Sequence, residues 1–147
     1  MKKLGVIGAF IVIGVLALPG CGKEVGRIPL HGEGQGATVV NVTAGKKLAL
    51  WTSLDVKYTG TLVAKYEVEL EQNGTSAKAE CNPLDVNVKT NSVETHINDQ
   101  HRISWQGKMH CEVTPATSGP ATVRTKFVVV QRPTPLTFVD NSLVIKE

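Results

Sequence analysis

The sequence predicts an all-β protein built as a single antiparallel β-sandwich, and three observations carry that expectation. Apolar and polar residues alternate with a period of two over most of residues 38–147. Asn73-Gly74 separates two such runs, and Asn-Gly is the strongest short hairpin signal because both turn positions need positive φ. No stretch in that region carries a helical period.

Strands are expected at 37–42, 47–52 and 61–64. Tyr66, Val68 and Leu70 alternate with Lys65, Glu67, Glu69 and Glu71, giving one buried and one wet face. Ala77, Ala79 and Cys81 alternate with Ser76, Lys78 and Glu80, so 65–72 and 75–81 make a hairpin. Residues 84–97 show no clear pattern, and Asn98-Asp99-Gln100 marks a turn flanked by His96 and His101. Ile103, Trp105, Met109, Cys111 and Val113 share one parity. A two-residue loop at Gln106-Gly107 would put Met109 and Cys111 on the wrong face, because parity sets register. A three-residue loop, or one long strand bulged at Gly107, keeps the apolar set together. Val123, Phe127 and Val129 continue the alternation, while Val128 and Val130 suggest a strand covered on both faces. Asp140-Asn141 reads as a turn before a last strand at 143–145. About eight or nine short strands with turns between them argue a sandwich.

The N-terminus is different. Lys2 and Lys3 precede an almost wholly apolar run, Leu4 to Leu18, followed by Pro19 and Gly20. A charged start, a short apolar core and small residues before a cut mark a secretory signal. A spanning helix needs about 20 apolar residues, and Pro19 stops this run first. The run Leu18-Pro19-Gly20-Cys21 resembles the lipobox of bacterial lipoproteins. That resemblance implies cleavage before Cys21, a diacylglyceryl thioether on its sulfur, and acylation of the new amine, commonly with palmitate. Two or three acyl chains on one residue hold a protein stably at a membrane, where one holds only marginally. Gly22 in place of an aspartate points, by the family's sorting rule, to the outer membrane, on its periplasmic or surface face. The expected organisation is therefore a signal peptide at 1–20, a lipidated glycine-rich tether at 21–37 and the sandwich domain at 38–147. The tether reading rests on Gly22, Gly26, Gly32, Gly34 and Gly36, although Ile28 and Leu30 could dock as a first short strand.

Setting the lipidated cysteine aside leaves Cys81 and Cys111. In an oxidising compartment such a pair forms a disulfide. Gly107-x-Met109-x-Cys111-x-Val113 resembles the Gly-x-Tyr-x-Cys-x-Val run of an immunoglobulin-like F strand, with Met109 in place of the tyrosine.

Composition narrows the function. Of 16 Lys and Arg, Lys2 and Lys3 leave with the signal, and the remaining 14 stand against 13 Asp and Glu. A nearly neutral domain without a basic, aromatic-studded stripe is not a nucleic-acid binder. The histidines match no zinc spacing, so no metal or cofactor is expected. No nucleophile elbow or phosphate loop is present. Trp51 has the opposite parity to Leu48 and Leu50, which makes it the candidate exposed binding residue, with core or edge packing as the alternative. The expected function is a non-enzymatic, lipid-anchored binding or scaffolding module of the cell envelope, with an envelope protein or a glycan as partner. The rival readings are a calcium- or carbohydrate-dependent adhesin and a small envelope hydrolase or its inhibitor. Aspartates gathered at one sandwich end, or a pocket holding His96 and His101, would favour these.

Overall fold

Among residues 22–147, which the computed structural model describes, the chain forms nine strands. They are β1 (Glu24–Pro29), β2 (Gly34–Val42), β3 (Leu48–Thr59), β4 (Val63–Gln72), β5 (Thr75–Cys81), β6 (Val86–Ile97), β7 (Gln100–Val113), β8 (Gly119–Gln131) and β9 (Leu136–Lys146). The expected signal peptide and lipidation site, residues 1–21, lie outside the described residues.

The strands build two antiparallel sheets, β1-β9-β3-β7-β6 and β2-β8-β4-β5. Four of the pairings are nested in sequence: β1 with β9, β2 with β8, β3 with β7 and β4 with β5. The chain is thus one long ribbon, folded at Asn73-Gly74 and wrapped on itself, with β6 added at one edge. That is the jelly-roll form of the sandwich. In the immunoglobulin arrangement the F strand lies between C and G and is bridged to strand B. Here β7 lies between β3 and β6, and the Cys81–Cys111 disulfide (Cα–Cα 5.6 Å) ties the end of edge strand β5 to β7 in the opposite sheet.

The Asn73-Gly74 turn holds Gln72 opposite Thr75, with φ of 50° and 81° at its two residues. β7 runs unbroken through Gly107; the irregularity opposite β3 comes after it, where Met109, His110 and Cys111 of β7 stand against Leu50 alone, and the one opposite Val86 and Val88 gives β6 the extra residue. Trp105, Gly107 and Met109 accordingly share the buried face.

Three expectations are corrected. Most of the 21–37 tether is strand: β1 pairs with β9, Ile28 and Leu30 join the core, and β2 begins at Gly34. The glycines serve close packing. A Cβ at Gly26 would lie 2.6 Å from Val40 Cγ1, and one at Gly36 would lie 2.6 Å from Ile28 Cγ2. Asp140-Asn141 is inside β9, where Asp55 faces Asp140 and Val56 faces Phe138, leaving Val139 bulged into solvent. Val130 is exposed because the end of β8 has no covering layer on its outer face, so that strand is buried on one face only.

The core lies between the sheets. Leu50, Leu54 and Val56 of β3 meet Tyr66, Val68 and Leu70 of β4, all essentially buried. Each such aliphatic side chain contributes about 1.5–3 kcal/mol. Lys23 and Glu147 exchange backbone hydrogen bonds of 3.0 and 2.8 Å, so the two ends of the domain meet at one pole. β3 runs from that pole to the other, about 36 Å at 3.3 Å per residue. The β6–β7 turn, next to Thr59, sits at the far pole.

Candidate functional site

The sandwich leaves one strand without a layer opposite it. β6 borders the five-stranded sheet beyond β7, while the facing sheet ends at β5. From Asn91 to Ile97 every residue of β6 is exposed. This explains the missing alternation at 84–97: a strand wet on both faces carries no period-two signal. The usable signal was the density of β-branched residues in Val86–Ile97, where Val86, Val88, Thr90, Val93, Thr95 and Ile97 make up half of the strand.

Exposed edges are normally blunted by lysines, bulges or prolines. β6 carries a lysine and an irregularity in its first half only; from Val93 to Ile97 its one carboxylate, Glu94, is drawn toward Lys89. The irregularity, between Thr90 and Val93, takes Asn91 to a φ of 52°. Lys89 folds inward over the Trp105 ring, 4.4 Å from its centroid, and donates to Glu94 Oε2 at 3.1 Å. From Val93 to Ile97 the strand pairs regularly with β7 on one side, from Val93 opposite Ser104 to Ile97 opposite Gln100. Its other side carries unpaired backbone groups. Val93 (54% exposed) and Ile97 (63%) project to the outer face. Beside them Lys57, Thr95, Arg102 and Thr137 border a shallow depression of about 370 Å³. Arg102 reaches Asp55 Oδ2 at 3.4 Å. The arrangement is a regular strand edge with two β-branched apolar side chains and a cationic hollow next to it. Its chemistry is recognition: a strand can add to the edge by main-chain hydrogen bonds while its side chains read the hollow.

The opposite face of the molecule holds a larger trough, about 770 Å³, over the four-stranded sheet. Of the charges lining it, Glu67, Glu69, Lys78, Glu80 and Arg124 are in ion pairs, while Lys126 has none among the described residues. Arg124 pairs with Glu71 and Glu69, Lys65 with Glu80 and Glu67, and Lys78 with Glu69. The hydrogen bonds from Lys65 to Glu80 and Glu67 hold its ammonium pKa above the ordinary value. Exposed pairs of this kind stabilise little, because water and salt screen them.

Trp51 is on the outer face, as its parity requires, but it is 1% exposed. Lys146 Nζ lies 3.8 Å from its ring centroid. The long side chain lays its stem over the indole and keeps its charge in water. Trp51 is therefore a buried packing residue rather than an exposed binding residue.

His96 and His101 converge, His110 sits apart against Asp85 at 3.3 Å, and His31 occupies the β1–β2 loop. The aspartates are not gathered at one end. Asp55 and Asp140 are cross-strand neighbours, Asp85 faces His110, and Asp99 is in the β6–β7 turn. Asp140 accepts from Ser53 Oγ at 2.7 Å and from Ser142 Oγ at 3.4 Å. Among the described residues no three His, Cys, Asp or Glu side chains converge. Comparison of the chain with family models, curated proteins and solved structures finds no match.

Proposed function

We propose that the protein is a non-enzymatic, lipid-anchored binding module of the bacterial cell envelope that holds an extended segment of an envelope protein along the free edge of β6. The observation that carries this reading is the regular edge run Val93–Ile97, free of lysine, proline and bulge, with Val93 and Ile97 exposed and Ile97 lining the basic hollow. The anchor rests on Leu18-Pro19-Gly20-Cys21, and Gly22 after the cysteine supports the outer membrane. Because β1 begins at Glu24, the domain sits close to its anchor. The β6–β7 turn then points away from the bilayer, where a partner can reach it.

Two measurements test this. Cys21→Ala should move the protein from the membrane to the soluble fraction; unchanged membrane association sinks the anchor. A photocrosslinking residue at Val93 or Ile97 should capture one protein partner in cells, and one at Lys126 on the opposite face should not. Val93→Lys with Ile97→Lys should abolish a partner captured through a neighbouring β6 position. Equal capture from Lys126, or capture of glycan only, overturns the strand-edge reading.

A further inference from the structure

At the far pole of the domain two imidazoles bring their Nδ1 atoms together. His96 of β6 and His101 of β7 are directly opposite in the ladder, with Nδ1 to Nδ1 at 2.7 Å and ring centroids 4.9 Å apart. Register places them there, because only Ile97 opposite Gln100 and the turn at Asn98-Asp99 separate them. His101 is also stacked on Tyr58 of β3, at 4.9 Å and 28°. The stack restricts rotation of the His101 ring and keeps its Nδ1 turned toward His96.

We propose that the His96–His101 pair binds a divalent transition-metal ion that favours square-planar coordination, copper(II), through both Nδ1 atoms. Two neutral imidazoles can share one proton between these nitrogens, or present both lone pairs to a metal. Metal–nitrogen bonds are about 2.0 Å, so cis ligands in a square plane hold their nitrogens about 2.8 Å apart, against about 3.3 Å in a tetrahedron. The observed 2.7 Å matches the square-planar case. Imidazole is a good donor for copper, which also stands highest in the affinity order of divalent first-row ions. His96 is exposed and His101 half-buried, so an ion can enter and water can fill the remaining positions. Glu94, on the same face as His96, is engaged by Lys89. Arg102 projects to the other face and pairs with Asp55. Neither cation is directed at the pair.

The test is calorimetric titration of the full purified chain with copper(II) in a weakly coordinating buffer, with electron paramagnetic resonance on the same samples. About one equivalent should bind, with nitrogen hyperfine structure from two imidazoles and axial parameters of a square-planar ion. His96→Ala and His101→Ala should each remove the two-nitrogen signal, while the His31→Ala, His110→Ala double variant should keep it. The rings lie at the domain surface, so circular dichroism should show all variants folded. Acidification should release the ion, because both rings must be deprotonated to ligate. No copper uptake, a two-nitrogen signal that survives loss of both histidines, or tighter binding of zinc than of copper overturns the assignment.

Discussion

Tyr66 and Asn141 join the two sheets through the core: the phenol of β4 donates to the side-chain carbonyl of β9. Thr52 lies 2.8 Å from the same phenol oxygen, and Asn141 passes its own amide hydrogen to Gly32 O at 2.9 Å. Each buried polar group here has a partner, and removing one leaves others unpaired.

Tyr66→Phe should therefore cost about 1–3 kcal/mol at neutral pH, read from urea unfolding. The same variant has a pH signature. Burial raises the Tyr66 pKa well above its ordinary value, with Thr52 opposing and Asp140 adding to the shift. The folded state thus keeps a proton that the unfolded chain loses above about pH 10. Stability from this group is complete below that pH and falls as pH rises beyond it. The gap between wild type and Tyr66→Phe should be constant to about pH 9 and shrink above about pH 10. A gap that widens with pH would contradict the burial assigned to this phenol.

Reduction of Cys81–Cys111 should destabilise the domain by roughly 3–4 kcal/mol, the closure entropy of a loop of about 30 residues. The difference in urea midpoint with and without reductant measures it. Alkylation of the native, non-reduced protein should label neither cysteine.

Gly107 makes room for the Val86 side chain of the neighbouring strand β6. A Cβ there would lie 2.7–2.9 Å from all three side-chain carbons of Val86. Gly107→Ala should cost about 1–3 kcal/mol by overpacking. Val86→Ala in the same chain should recover part of the loss, giving a coupling energy in a double-mutant cycle. Additive effects would refute the contact.

Trp51→Ala should lower stability by about 3–5 kcal/mol, as for other buried aromatics. Lys146→Met should lose only the cation–π term, about 0.5–2 kcal/mol. Thermal unfolding of both variants separates a packing role from a recognition role, since a recognition residue would leave stability unchanged.

Period-two alternation exposed the sandwich and the 65–81 hairpin because those strands have one dry and one wet face. It said nothing of β6, which is wet on both. Asp140-Asn141 looked like a turn because Asn141 is polar, yet its amide is buried by bonds to Tyr66 and Gly32. Gly26 and Gly36 looked like a linker, since a chain alone does not reveal that a neighbour's methyl lies where a Cβ would be. The His96–His101 register needed only the turn, which the sequence does mark; that the two Nδ1 atoms converge depends on the ring rotamers and on Tyr58. Trp51 was placed on the correct face by parity, but its cover comes from Lys146, distant in sequence.

The meeting of Lys23 with Glu147 has a mechanical consequence. On the proposed anchor, load from the membrane enters β1 along its own axis, and on the proposed binding edge, load from a partner enters β6 at the opposite pole. The force must cross β1, β9, β3, β7 and β6 in turn, and each junction is pulled lengthwise. All hydrogen bonds of a ladder then resist together, instead of opening one at a time. The five-stranded sheet is oriented to hold under tension applied between the start of β1 and the free edge of β6.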